Sequence, residues 1–394
     1  MKKTVKDIDV KGKKCLVRVD FNVPVADGKV TDDNRILGAL PTIRYLTEHG
    51  AKVILCSHLG RPKGQVQKKY SLQPVAEKLA EVLHQPVVLT ETTVGADAEQ
   101  AVNAMKDGDV VLLENVRFCP EEEKNDPAFA KKLAAFADVY VNDAFGTAHR
   151  AHASTAGVAQ FVNDCVSGFL MEKELNVLGG LLEQPQRPFT AILGGAKVSD
   201  KIGVISNLLQ KADRILIGGG MAYTFFRALG YSVGTSICEE DKKELARELM
   251  QTAKDKGVEL LLPVDNVVSA EFNETSEVRV VKSCEIPDGF MGMGIGPETA
   301  KLYCEKIRQS KTILWNGPLG VFEMEKFREG TYRIAEAVAD SGAVSVVGGG
   351  DSASAVIQMG FRNKITHIST GGGASLEFLE GRELPGVACL DEKE

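Results

Sequence analysis

The sequence predicts an α/β fold of two domains, each a parallel sheet flanked by helices, joined by an interdomain helix. Three observations point there. Short apolar runs alternate with amphipathic stretches through both halves of the chain. A helical segment at 168–183 stands between the halves, and Pro185 and Pro188 follow it closely. Glycines gather at the C-terminal ends of the second half's strands. Strands separated by helical segments need crossovers that cover both sheet faces, the Rossmann-like arrangement. The 394 residues suffice for two domains with full cores.

In chain order, strands are expected at 15–19, 53–56, 87–89, 110–113 and 139–141, with helices at 36–49 and 72–83 between them. In the central segment Leu170, Leu178, Leu181 and Leu182 fall at helical spacing, and the prolines end it. One more surface helix of a single large domain is the alternative there. The second half repeats the alternation at 190–193, 214–217, 260–264, 312–315, 344–347 and 367–369. Glycine pairs or triplets follow most of these runs. Ligands bind at that edge of open parallel sheets, so the glycines predict a floor lined by backbone.

Composition narrows the function classes. Apolar residues at 44% and charged residues at 26% exclude disorder as the main state. A net charge of −7 argues against a general nucleic-acid or membrane-surface binder, so any anion site must be local. The eight cysteines are scattered without a CxxC, which suggests reduced thiols and a cytoplasmic protein. The start lacks the apolar run of a secretion signal, and no stretch of about 18 apolar residues exists to span a bilayer.

Two stretches carry the sharpest chemistry. AVSVVGGGDS (343–352) and HISTGGG (367–373) each run from a strand through glycines into a helix start. Helix N-termini offer unpaired N–H groups and a positive dipole end to phosphate-sized anions. Asp351 would repel such a ligand unless a cation lay between them, and Mg²⁺ is the cation that bridges a carboxylate to phosphate oxygens. Tight turns with Asp351 as a helix cap are the alternative.

In the first half, Arg18, Asp20 and Asn22 (RVDFNVP), Arg35, His58 and Arg61 (SHLGR), Arg117, and Arg150 between His149 and His152 stand where strands end. Converging arginines would hold a small polyanion. Lys197 and Lys201 (LGGAKVSDK) share a face if that segment is helical, and an anion would explain the like charges. In WNGPLGVFE, Leu319 and Val321 suit a purine and Glu323 a ribose. No GxxxxGK[ST] occurs, and GMGIGP (292–297) has no expected strand before it, which also weakens a nicotinamide-dependent dehydrogenase. A non-catalytic binder of phosphometabolites remains a further reading.

Taken in order, RVDFNVP, SHLGRP, DAFGTAHRAH, LGGAKVSDKI, LWNGPLGVFE, VGGGDSASA and STGGGASLEFLEG resemble the phosphoglycerate kinase family over essentially the whole chain. The resemblance implies a triose-acid-binding domain at 1–168, an interdomain helix at 169–185, a nucleotide-binding domain at 186–380 and a tail at 381–394 that returns to the first domain. It implies reversible phosphoryl transfer between 1,3-bisphosphoglycerate and ADP, giving 3-phosphoglycerate and ATP in glycolysis, by in-line transfer with domain closure in a monomer. Asp20, Phe21, Asn22, Arg35, His58, Leu59, Gly60, Arg61, Arg117 and Arg150 would hold the triose acid. Gly194, Gly195, Lys201, Gly219, Asn316, Pro318, Glu323, Gly349, Gly350, Asp351 and Ser352 would hold the nucleotide, with Asp351 on Mg²⁺. Lys197, Arg35, Gly371, Gly372 and Gly373 would surround the phosphoryl group in transit. No nucleic-acid or membrane partner is implied.

The chemistry agrees. The nucleophile toward ATP is a carboxylate, ionised at neutral pH, so no general base is required. What is required is neutralisation of the moving charge and exclusion of water.

Overall fold

The computed structural model describes residues 1–393. By its contacts the chain divides into one unit of Met1–Asn176 with the segment from Glu383 onward, and a second unit, Val177–Arg382. The first is built on β1 (Lys14–Arg18), β2 (Lys52–Cys56), β3 (Val87–Leu89), β4 (Val110–Leu112), β5 (Val139–Asn142) and β6 (Asp164–Ser167). All are parallel, in the order β3-β4-β2-β1-β5-β6. Val53, Ile54, Leu55 and Cys56 of β2 have no exposure, the burial of a strand covered on both faces. Helices α1 (Asn34–Glu48), α2 (Gln73–Leu83), α3 (Ala96–Asn103) and α4 (Pro127–Ala134) lie between the strands in sequence. Ile36, Leu40, Ile43 and Leu46 of α1 recur at helical spacing and enter the core with β1 and β2.

The order of strands places a switch point at β1. From β1 the chain moves to β2 on one side and later to β5 on the other, which opens a crevice beyond the carboxyl ends of β1 and β5. The sequence missed β6, whose DCVS has a single branched apolar residue.

Asp143, just past β5, organises the start of α5 (Phe169–Glu183). Its Oδ1 accepts from the N–H groups of Leu170 (2.9 Å) and Met171 (3.2 Å). A Cβ at Gly168 would run into this carboxyl group, so only glycine fits. Burial pushes the Asp143 pKa up to about 6 from 3.8, against the pull of the Thr42 hydroxyl and the two amides. Because the folded-state value is the higher one, stability from this group is complete below about pH 4 and lost as pH rises through 6. Asp143→Asn cannot ionise, so relative to the parent it should gain roughly 2 to 3 kcal/mol between pH 4 and pH 7. Urea denaturation at both pH values checks this.

The second unit contains β7 (Phe189–Leu193), β8 (Arg214–Ile217), β9 (Glu259–Leu261), β10 (Asp265–Ser269), β11 (Val278–Lys282), β12 (Met291–Ile295), β13 (Thr312–Asn316), β14 (Val344–Gly348) and β15 (His367–Ile368). Six strands form a parallel sheet, β9-β8-β7-β13-β14-β15, with its switch point between β7 and β13. Its helices are α6 (Ile202–Leu208), α7 (Met221–Ala228), α8 (Lys243–Lys256), α9 (Pro297–Arg308), α10 (Glu329–Asp340), α11 (Gly350–Gln358) and α12 (Gly372–Leu379).

Three expectations change here. The strand expected at 260–264 ends at Leu261, because Pro263 follows and Val264 is half exposed. Strands β11-β10-β12 form an antiparallel sheet that the sequence did not suggest. The segment 292–297, expected to have no strand before it, lies largely within strand β12 and leads into α9. The glycines had hidden it, yet a Cβ at Gly292 would collide with the Tyr223 ring.

The segment from Glu383 completes the first unit through α13 (Pro385–Ala388). The Gly386 N–H donates to the Ala148 carbonyl (2.8 Å), and Asn142 Nδ2 donates to the Gly386 carbonyl (2.8 Å). Cys165 N–H donates to the Asp391 carboxylate (3.0 Å), and Lys2 pairs with Glu392 (2.7 Å). Of the tail expected at 381–394, Glu394 lies outside the described residues.

Candidate functional site

In the first unit, the loops after β1, β2, β4 and β5 bring cations together at the switch point. Arg35, in the first turn of α1, pairs with Asp20 (2.7 Å), whose other oxygen accepts from the Asn22 N–H (3.2 Å). The Asn22 side chain accepts from the Gly60 N–H (2.9 Å), and the buried Phe21 donates its N–H to Ser57 Oγ (2.9 Å). These bonds tie the loop after β1 to the loop after β2. Gly60 has φ +63°, and a Cβ there would meet the Tyr70 ring. Leu59 is buried, and its carbonyl accepts from Asn115.

Arg117 is 6% exposed and donates to the Gly60 carbonyl (2.9 Å); burial lowers its pKa. Its Nε lies 3.5 Å from Glu123 without a hydrogen bond, so part of a buried cation is left for a ligand. Arg150 is exposed, with Nε 3.3 Å from His149. Burial first, then the fields of Arg18, Arg117, Arg35 and His152, hold the His58 pKa well below its usual range. His152 is pulled down to about 4 by burial and by Arg117, Arg18 and Arg150. Arg18 and Arg117 lower both imidazoles, as expected of groups that share one electropositive pocket. Arg61 is exposed, has no partner among the described residues and is not tied into this network.

In the second unit, glycine backbones meet at the switch point. Gly194 N–H donates to the Asn316 carbonyl (3.0 Å) and Gly195 N–H to the Pro318 carbonyl (3.1 Å). A Cβ at Gly194 would strike Pro318, and one at Gly219 (φ +66°) would meet Gly195 and Pro318. Beside this floor lies a cavity of about 440 Å³. Tyr223, Ile237, Phe272, Met291, Met293 and Val321 give it apolar walls, and Glu323 and Asp351 give it carboxylates.

Asn316 is buried; its Oδ1 accepts from Lys201 Nζ, and its Nδ2 is a buried donor without a partner. Burial lowers the Lys201 pKa against the pull of Asp200, Asp351 and Glu380. Parallel neighbours β14 and β15 feed α11 and α12, so the two helix starts lie side by side. A Cβ at Gly372 would come within 3.8 Å of the Gly350 nitrogen. Gly349 (φ +91°) precedes α11 as Gly371 precedes α12, and neither start has a side-chain cap. Asp351 is exposed and unpaired among the described residues, so helix capping does not explain it.

Other placements differ from expectation. Leu319 has no exposure and belongs to the core, so Val321 faces the cavity without it. Lys197 lies in irregular backbone and Lys201 in a 3₁₀ turn before α6, so they do not share a helix face. Lys197 is exposed and has no partner among the described residues. The Ser352 hydroxyl accepts from the Gly317 N–H (2.7 Å) and donates to the Gly348 carbonyl (2.8 Å), leaving its backbone N–H for a ligand. Sequence reasoning missed Tyr223, Ile237, Phe272, Met291 and Met293; the alternation in MGMGI was the available signal. No helix among the described residues is long and apolar enough to cross a membrane.

The sequence profile of the phosphoglycerate kinase family matches residues 5–382. Phosphoglycerate kinases of Clostridium tetani and Clostridium novyi are 59% and 60% identical over 394 residues, covering 100% of this chain and 98% and 99% of theirs. The solved structure of phosphoglycerate kinase from Coxiella burnetii has a TM-score of 0.91 at 41% identity, over 99% of this chain and 98% of that one. That from Pyrococcus horikoshii OT3 has a TM-score of 0.81 at 37% identity, over 98% of each.

Proposed function

The chain belongs to the phosphoglycerate kinase family, and on that premise we infer which of its residues carry the reaction. It is a phosphotransferase with a carboxyl acceptor, and it moves a phosphoryl group reversibly between 1,3-bisphosphoglycerate and ADP to give 3-phosphoglycerate and ATP in glycolysis. A coupled assay of ADP formation from ATP and 3-phosphoglycerate tests the activity directly.

In our reading, residues 1–168 with the tail from 381 bind the triose acid, 186–380 bind the nucleotide, and 169–185 join them. The electropositive pocket of the first unit is what supports the first assignment. Arg35, Arg61, Arg117 and Arg150 supply charge to the triose acid's phosphate and carboxylate, while Asp20, Asn22 and the backbone of 58–60 shape the site. His58 and His152 are neutral at pH 7 and weak bases, which suits a reaction whose nucleophile is already ionised.

The glycine floor, Lys201 with Asn316, and the amides of Gly349, Gly350 and Ser352 receive the nucleotide's phosphates. The apolar walls take its base and Glu323 its ribose. Lys197, Arg35 and the amides of Gly371, Gly372 and Gly373 stabilise charge on the moving phosphoryl group.

The residues fit Mg²⁺ carried by the nucleotide. One unpaired carboxylate, Asp351, stands at the helix start that faces the phosphates, and this ion commonly takes one or two protein carboxylates. When bound, it neutralises phosphate oxygens. Asp351→Asn should weaken ADP binding at least about tenfold with Mg²⁺ and leave metal-free ADP binding unchanged or tighter. Calorimetric titration with and without the metal decides; an equal loss in both would remove Asp351 from the metal. Eight free thiols fit action in the reducing cytoplasm, and we take the protein to act there as a monomer.

A further inference from the structure

Arg18 is left over from the sites above. It ends β1, is 1% exposed, and is among the largest fully buried side chains. A buried guanidinium persists only if its donors are met. Its Nε donates to Ser154 Oγ (2.8 Å), its Nη1 to the Val19 carbonyl, and its Nη2 lies 3.1 Å from His58 Nδ1. Ser154 Oγ donates in turn to Glu122 Oε1 (2.5 Å), and the Ser154 N–H to Oε2 (3.0 Å). Ser154 and Glu122 have no exposure. One buried carboxylate thus balances one buried cation through a hydroxyl, and the guanidinium plane is fixed at both ends.

That fixation decides the state of His58. A guanidinium can only donate, so the ring nitrogen facing it must accept. Nδ1 then carries the lone pair, and the single proton of the neutral ring sits on Nε2. A second proton on Nδ1 would set two N–H groups against each other. Arg18, Arg117, Arg35 and His152 oppose it as well. Nε2 makes no hydrogen bond among the described residues and is not one of the buried side-chain nitrogens left unsatisfied, so it remains available to a ligand.

We propose that Arg18, anchored through Ser154 to Glu122, is a positioning residue that locks His58 in the Nε2–H tautomer, so that this ring meets an oxyanion of the triose acid as a neutral, directional donor. The arginines supply charge and His58 supplies direction. The proposal rests on the assignment of His58 to the triose-acid site.

Long-range ¹H–¹⁵N correlation spectra of the full chain test it, with His58 assigned by the signal lost in His58→Gln. In the parent protein, His58 should show a protonated Nε2 and a bare Nδ1, unchanged from about pH 5.5 to 8.5. A ring that titrates in that range, or carries its proton on Nδ1, overturns the proposal. In Arg18→Met, His58 should exchange between tautomers and titrate, and KM for 3-phosphoglycerate should rise about tenfold while kcat falls less than about threefold. Loss of the tautomer with KM unchanged overturns the positioning role. If His58→Gln leaves that KM unchanged while the parent spectrum is as expected, the site assignment fails instead.

Discussion

Lys197→Ala should lower kcat by about 10²- to 10³-fold and leave the Kd for ADP within about threefold. The side chain is exposed, has no partner among the described residues, and sits on irregular backbone outside any helix. Its loss therefore costs the resting fold little. In the role we propose, this cation acts as charge develops on the phosphoryl group, so its removal should affect the chemical step more than binding. Arg35→Ala should also lower kcat, with an added rise in KM for 3-phosphoglycerate, because it leaves Asp20 without its 2.7 Å partner. Steady-state kinetics with calorimetric binding separates the two. Unchanged kcat in Lys197→Ala would remove that residue from the transition state.

Gly219→Ala should destabilise the second unit by about 3 kcal/mol or more, lowering its Tm by roughly 6–12 °C. Two costs add. At φ +66° an alanine is strained, and its Cβ would press on backbone atoms of Gly195 and Pro318, which cannot swing aside as a side-chain tip can. Gly257, beyond α8, separates these costs: its φ is +68°, but nothing lies within 4 Å of its missing Cβ. Gly257→Ala should cost only about 1 kcal/mol. Calorimetric melting of both variants checks the difference, and equal losses would mean that crowding at the switch point contributes nothing.

How much was legible in the sequence depends on what each signal was made of. Parallel strands buried on both faces are continuous apolar runs, so β2, β8 and β13 were placed to within a residue or so; the edge strand β3 was placed from its apolar run although Val88 is half exposed. The antiparallel β11-β10-β12 sheet was not, because β11 is largely exposed and β12 contains two glycines, Gly292 and Gly294. The apolar wall of the cavity was missed with it, since Met291 and Met293 stand on that strand and Phe272 lies in the β10–β11 connection. Glycines before helices were legible as anion cradles. The engagement of the Ser352 hydroxyl was not, because it depends on Gly317, 35 positions away. Arg18 was visible as a charge at a strand end. That it is buried, and reaches a carboxylate only through Ser154, follows from contacts across 136 positions.

The segment from Glu383 has a consequence for the making of the protein. Residues 1–176 leave the ribosome with the Ala148 carbonyl, the Asn142 amide and the Cys165 N–H still waiting for Gly386 and Asp391. All of Val177–Arg382 must be synthesised before they are met. Closing so long a loop is slow, and the second unit, continuous in sequence, is free to fold in the meantime. The strand end that carries Asn142 and leads into the arginine pocket is therefore among the last parts of the first unit to set, so nascent chains should complete the glycine floor of the second unit before the arginine pocket of the first.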